Sequence, residues 1–324
     1  MVRSAEPIDS AIHGRICSEE SWRFKTFEEY RALMFSIAYR MLGSVTEAED
    51  ILQEAFLRWC QAGDIEFHSP RAFLVTIVSR LCINHLQSAR VRREEYVGEW
   101  LPEPIVSEGC HDPSRILAAA ESLSMAFLLL VERLTPMERA VFLLREVFEY
   151  EYSQIAEIVG QTEVNCRQVL RRARQHLRAD RPRFEADSQT KQVLLSRFLE
   201  ATSTGNLGQL VSLLQADVVL YADGGGKGLA VPNRLQGADK IARGVLGALD
   251  KLVPHDLVQR IVRVNGEPGV ISYHHGLPFS VLTLHCAGEK IQAIYLITNP
   301  DKLRSVPGLA DVDAAYDSNT ITVA

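Results

Sequence analysis

Apolar residues recur at helical spacing from Tyr30 to Trp59. Leu33, Ile37 and Met41 fall on one face, and Ile51, Ala55 and Leu57 resume the stripe after a break at Leu42-Gly43-Ser44. Ser44 with Glu47 three residues on has the form of a capping box, which predicts a new helix start. Ser69-Pro70 is a second start signal, with Pro at the first helical position, and the period runs on through Phe73, Ile77, Leu81 and His85. Residues 1–25 carry no clear period and are predicted to be a flexible extension. Pro102, Pro104, Pro113, Gly98 and Gly109 mark residues 94–114 as a linker. Helical spacing returns from Ser114 to Arg133, and Thr135-Pro136-Met137-Glu138 combines an N-cap, a Pro and a capping-box Glu.

The segment from Ser153 to Leu177 is the most informative. Ser153 is placed to cap a short helix through Ile155, Ala156 and Val159, Gly160 supplies a turn, and Thr162 is placed to cap a second helix. On that second helix Cys166, Leu170, Ala173 and Leu177 form the apolar stripe, while Asn165, Gln168, Arg171, Arg172, Arg174 and Arg178 lie off it. A short helix, a Gly turn and a basic helix with amides near its start read as a helix-turn-helix. Arginines along such a helix neutralise phosphates, and Asn or Gln can pair with base edges. The alternative is a helical hairpin with a solvated basic face.

After about Asp187 the texture changes. Helical periods at Val193 to Ala201 and Leu207 to Leu214 give way to β-rich runs at Val218 to Tyr221, Leu257 to Val264, Val270 to His274, Phe279 to His285 and Ile291 to Ile297. One helix near Ala238 to Leu249 interrupts them, and Asn265-Gly266 is a hairpin signal. A few helices followed by a meandering antiparallel sheet predict an α+β domain behind an all-α first half.

Charge refines this picture. The 324 residues carry a formal net charge of −6, yet Arg71 to Arg93 holds five arginines and no acid, and Glu163 to Arg183 holds seven arginines against two acids. A DNA footprint needs only one basic face, so the distribution outweighs the sum. Acids gather instead around Glu47 to Glu54, and from Glu185 onward 12 basic residues face 14 acidic ones. No apolar run reaches the length of a membrane span, and the polar N-terminus lacks a signal core, so a cytoplasmic protein without a membrane partner is expected. The six cysteines are scattered without a CxxC pair and read as reduced thiols.

On these residues the chain resembles a known family. The stretch RALMFSIAYRMLGSVTEAEDILQEAFLRW, from Arg31 to Trp59, is similar to region 2 of the extracytoplasmic-function RNA polymerase sigma factors, and the helix-turn-helix is similar to their region 4. Three short motifs follow in order: Trp100-Leu101-Pro102-Glu103-Pro104, Asp223-Gly224-Gly225-Gly226-Lys227 and Asn299-Pro300-Asp301-Lys302-Leu303. Together they resemble the SigJ-like subgroup, which carries a C-terminal SnoaL-like (NTF2-like) extension. The fold class this implies is multidomain: all-α sigma regions 2 and 4, then an α+β cone domain. Its boundaries are region 2 at 26–93, the linker at 94–114, region 4 at 115–180 and the SnoaL-like domain at 187–324.

Roles come with the resemblance. Glu47, Asp50, Gln53 and Glu54 match the surface that grips the β′ clamp helices of core RNA polymerase, where carboxylates suit an arginine-rich partner. The helix bearing Arg71, Arg80, Asn84, Arg90, Arg92 and Arg93 matches the reader and melter of the −10 element, with Asn84 or a nearby loop holding a flipped base. Asn165, Arg167, Gln168, Arg171, Arg172 and Arg174 match the −35 reader, and region 4 implies contact with the β flap. The three short motifs imply a regulatory interdomain contact. Core polymerase and promoter DNA are the expected partners, with a small ligand in the SnoaL-like pocket as a further option; no cofactor and no metal are expected.

Three rival readings remain open. SnoaL-like folds include cyclases and isomerases that pair an Asp with a His, and the tail offers Asp217, Asp223, His274, His275 and His285. The Asp223-to-Lys227 loop is Gly-rich but lacks P-loop spacing. A metal sensor would need about four convergent ligands, and Cys82 with His85 or Cys110 with His111 supply only pairs. The third rival is a ligand-responsive DNA-binding regulator, in which the acidic helix and the Trp100 linker have no task.

Overall fold

The computed structural model describes residues 8–62, 69–94, 98–108, 124–178, 186–227 and 234–315, without the side chains of residues 8–21, 89–94 and 178. Helix α1 (Ile8–Leu42) begins far ahead of Tyr30, where the helical apolar spacing starts, and runs through most of the expected 1–25 extension. The weak period upstream therefore does not mark an irregular backbone. Trp22 packs against Trp59 with ring centroids 5.6 Å apart, and Trp59 Nε1 donates to the Arg23 carbonyl at 2.9 Å. α1 ends at Gly43 in the left-handed conformation (φ 70°), and helix α2 (Val45–Gln61) starts from the Ser44 cap.

Helix α3 (Pro70–Glu94) starts at the expected Ser69-Pro70 signal. After the linker come α4 (Met125–Glu132), α5 (Pro136–Glu146), α6 (Tyr152–Val159) and α7 (Glu163–Arg178). Thr135 and Glu138 close the capping box at α5 as expected. At α6 the cap is Glu151, paired with Gln154, so Ser153 lies inside the helix rather than capping it. Gly160 (φ 66°) ends α6 in the left-handed conformation, and the Thr162 hydroxyl accepts from the Asn165 N–H at 3.2 Å to start α7. All seven helices feed one continuous core, so the two helical units read from sequence are packed as one body.

The tail runs α8 (Ser188–Ser203), α9 (Leu207–Leu213), β1 (Leu214–Asp223), β2 (Leu235–Gln236), α10 (Ala238–Lys251), β3 (Val258–Val264), β4 (Glu267–His274), β5 (Leu277–Ala287), β6 (Lys290–Ile297), α11 (Pro300–Leu303) and α12 (Leu309–Ala315). The sheet order is β2-β1-β6-β5-β4-β3. Strands β3 to β6 form the expected antiparallel meander, but β1 pairs with β6 in parallel, which the sequence reading missed. The reason is the connection: helix α10 carries the chain from the β1 side to the far edge, and a helical crossover permits what a hairpin cannot. Asn265 and Gly266 take φ of 51° and 78°, the left-handed pair that a tight β3–β4 hairpin requires.

The two faces of the sheet bury different things. One packs on α8, α9 and α10 through Leu194, Phe198, Leu210, Ile241, Leu284 and Ile294. The other packs on Leu101 and Val106 of the linker, Met125 of α4 and Leu303, Val306 and Val312 near α11 and α12. The linker thus lies between the helical body and the sheet. Among the described residues no helix is long and apolar enough to cross a membrane.

Candidate functional site

The three short motifs meet at one buried junction. Trp100 lies on Gly43, where a Cβ would come within 2.7 Å of the indole, so only glycine fits at the end of α1. The Lys302 ammonium sits 4.2 Å from the Trp100 ring centroid and 2.7 Å from Asp223 Oδ2, and it also donates to the Leu101 carbonyl. Asp223 Oδ2 accepts the Leu101 N–H at 2.8 Å. Burial pushes the Lys302 ammonium below the ordinary lysine range, while Asp223 and Glu103 pull it back.

Glu103 ties the linker to α2. Its carboxylate accepts from the Val45 N–H at 2.8 Å, the Thr46 N–H at 3.2 Å and the Ser44 hydroxyl at 2.8 Å. The Glu47 N–H donates to the Ser44 hydroxyl at 3.1 Å, as the capping signal expects, while its carboxylate faces His85 at 3.2 Å and Glu103 takes the free Val45 and Thr46 N–H groups at the α2 N-terminus. A carboxylate suits that position because the free N–H groups and the helix dipole favour negative charge. Burial raises the Glu103 carboxyl above its ordinary range, and these hydrogen bonds oppose the rise.

Asn265 joins the linker to the tail hairpin and to α1. Its side chain accepts the Ile105 N–H at 2.7 Å and donates to the Tyr39 hydroxyl at 2.9 Å. Val106 bridges Val264, so the linker adds a short antiparallel edge to β3. Asn265, Tyr39 and Gly43 were missed as site residues; the Asn-Gly pair is legible from sequence only as a turn. The Asp223-to-Lys227 loop closes on itself: Gly225 and Gly226 are left-handed (φ 57° and 72°), and a Cβ on Gly225 would fall 2.4 Å from Asn299. Lys227 and Asp301 pair at the surface, 2.8 Å apart.

The acidic helix keeps an open face. Asp50 and Gln53 are exposed and Glu54 pairs with Arg58 in the next turn, opposite the buried Ala48, Ile51, Leu52 and Ala55. On α3, Arg80 donates to the Ile158 and Glu157 carbonyls at the C-terminus of α6, at 2.8 and 2.9 Å, and Arg71 lies over the Tyr150 ring at 5.7 Å. Arg80 thus contacts the helix-turn-helix segment and Arg71 the residues that lead into it. Asn84 is exposed, and the side chains of Arg90, Arg92 and Arg93 lie outside the described residues, as do Cys110 and His111.

On α7 the apolar stripe of Cys166, Val169, Leu170, Ala173 and Leu177 is buried. Gln168, Arg171 and Arg172 are exposed, with no hydrogen bond or ion pair among the described residues. Arg167 pairs with Glu163, Arg174 with Glu146, and Asn165 with Gln161. Turning to the Asp–His pairs of the tail, Asp223 is held by Lys302, Asp217 is exposed, and His274 faces Asp256 at the surface. A groove of about 420 Å³ is lined by Lys227, Leu277, Phe279, Pro300, Leu303 and Arg304, none of them a carboxylate or imidazole.

Comparison with known proteins matches this layout. The family model for Sigma-70 region 2 covers residues 26–92, and that for Sigma-70 region 4 covers residues 124–177. The extracytoplasmic-function RNA polymerase sigma factor SigJ of Mycobacterium tuberculosis is 36% identical over 292 residues, spanning 87% of this chain and 93% of that protein. A probable sigma factor of the same type and organism, SigI, is 32% identical over 279 residues, spanning 85% and 92%. The crystal structure of the M. tuberculosis SigJ aligns with a TM-score of 0.72 at 33% identity, covering 88% of this chain and 99% of that one.

Proposed function

The chain belongs to the extracytoplasmic-function RNA polymerase sigma factors, and on that premise we propose that it binds core polymerase through α2 and reads a two-element promoter under restraint from its own tail. Region 2 would take the −10 element with α3 and region 4 the −35 element with α7. The observation that carries the restraint is the single buried junction of Trp100, Glu103, Asp223 and Lys302. It ties the N-terminus of α2 to the tail through the linker. In the same arrangement Arg80, although exposed, commits its guanidinium to the α6 carbonyls, which supports a form in which these bonds must be exchanged for phosphate contacts on −10 recognition.

Run-off transcription with purified core polymerase tests the reading. Removing residues from Asn299 onward takes away Lys302 and should raise transcription. Removing everything from Asp187 should lower it, because regions 2 and 4 lose a supporting surface. Equal activity of the full chain and both truncations would make the tail a passenger. A tail with its own chemistry would then become the better reading of that domain.

The −35 assignment makes a separate prediction. Arg171→Ala should weaken binding to all sequences alike and reduce the salt slope by about 1, the signature of one lost phosphate contact. Replacing Asn165, Gln168 and Arg172 together should relax sequence preference, at about 1–3 kcal/mol per good bidentate base contact. Selection from randomised −35 sequences reads this directly. Unchanged preference in the triple variant removes the assignment.

A further inference from the structure

Away from the junction, three side chains of the tail converge that the proposed function does not use. Asp256 lies in the turn between α10 and β3, His274 ends β4, and His275 opens the β4–β5 turn. Their ligating atoms all lie within 4.8 Å of one another, and His274 Nε2 is 3.2 Å from Asp256 Oδ1. We propose that Asp256, His274 and His275 form a binding site for a divalent transition metal of the zinc class.

The backbone explains how two consecutive histidines reach one ion. Neighbouring residues of a strand point to opposite faces. His275 has already left the strand, with φ 51° followed by Gly276 at 78°, and the turn brings its ring to 4.0 Å from that of His274, centroid to centroid. Zinc binds nitrogen and oxygen at about 2.0–2.2 Å, which sets donors roughly 3.4 Å apart in a tetrahedron. The Asp256–His274 pair already has that spacing. The outer edge of the cluster must shorten by up to about 1.4 Å, within the reach of the exposed Asp256 and His275 side chains.

The donor set selects the ion. Two imidazoles and one carboxylate suit zinc, nickel, cobalt or copper, whereas calcium and magnesium want oxygen cages. Three protein ligands leave a coordination position for water or a further ligand. The bound ion would pin the α10–β3 turn to the β4–β5 turn. That second turn is held in place by the Gly276 carbonyl, which accepts the Leu309 N–H at 3.1 Å, and it leads into Leu277 and Phe279 of the groove beside Pro300 and Leu303.

Calorimetric titration of the full, phosphine-reduced chain with zinc chloride should find one equivalent bound, and zinc should raise the melting temperature. His275→Asn removes a ligand while keeping a residue that tolerates the left-handed turn. His274→Ala and Asp256→Asn remove the other two. Each should weaken zinc by at least about tenfold, the loss already expected for removing an outer-shell partner. Cys60→Ser, at the exposed thiol, should bind like the parent, and a cobalt-loaded chain should show no thiolate charge-transfer band. No zinc binding by the parent, undiminished binding by His275→Asn, or a thiolate band that disappears in a cysteine variant would each overturn the site.

Discussion

Replacing Lys302 with Met is expected to destabilise the protein by about 3–5 kcal/mol, because it leaves the Asp223 carboxylate buried beside the Leu101 N–H without its cation. Asp223 is fully buried and Lys302 nearly so, at 0% and 7% exposure, so water cannot take over the missing interaction. The lost Trp100 contact adds to the effect. Denaturant unfolding measures it as a lower midpoint. Lys227→Ala is the control: it breaks the exposed pair with Asp301 in the same motif region, where solvent screens the charges, and should leave the midpoint nearly unchanged. Similar losses from both variants would mean the junction is no stronger than a surface ion pair. In transcription, Lys302→Met should behave like the truncation from Asn299, since both release the linker from the tail.

Reversing charge at Asp50 and Glu54 should abolish co-purification with core polymerase while leaving the fold intact. Both side chains lie on the open face of α2, where Asp50 is exposed and Glu54 pairs with Arg58, one turn on. Neither supports the core, so the melting temperature should hold. At an interface with a cationic partner, two carboxylates replaced by two lysines turn attraction into repulsion. A loss of at least about a hundredfold in affinity follows, since close charge pairs across interfaces couple by roughly 1.5 kcal/mol or more each. Holoenzyme formation that survives the change would show that another face of region 2 binds the polymerase.

Local chemistry made much of this protein legible in advance. Ser44, Pro70, Thr135 and Thr162 start helices because their side chains or missing N–H groups suit helix ends, whatever surrounds them. Gly160 ends α6 and Asn265-Gly266 turns the β3–β4 hairpin because both need φ above zero. The α7 stripe and its outward arginines follow from helical period alone. The resemblance implied that the three motifs share an interdomain contact, but not which of their side chains pair. What they do depends on pairings across 59 residues for Glu103 to Ser44, 79 for Lys302 to Asp223 and 226 for Asn265 to Tyr39. No local pattern encodes such distances. The same limit explains what was missed. The Ser44 cap onto the Glu47 N–H is local and forms as expected, while the carboxylate that folding brings to the Val45 and Thr46 N–H groups belongs to Glu103. The β1–β6 parallel pair depends on where α10 delivers the chain, and His274, His275 and Asp256 converge only once β3 and β4 pair. The sequence by itself determined which elements form and where they end, because caps, turns and apolar periods act within a few residues. The tertiary structure alone decided which of their polar groups lose water together, because burial is a property of the packed whole.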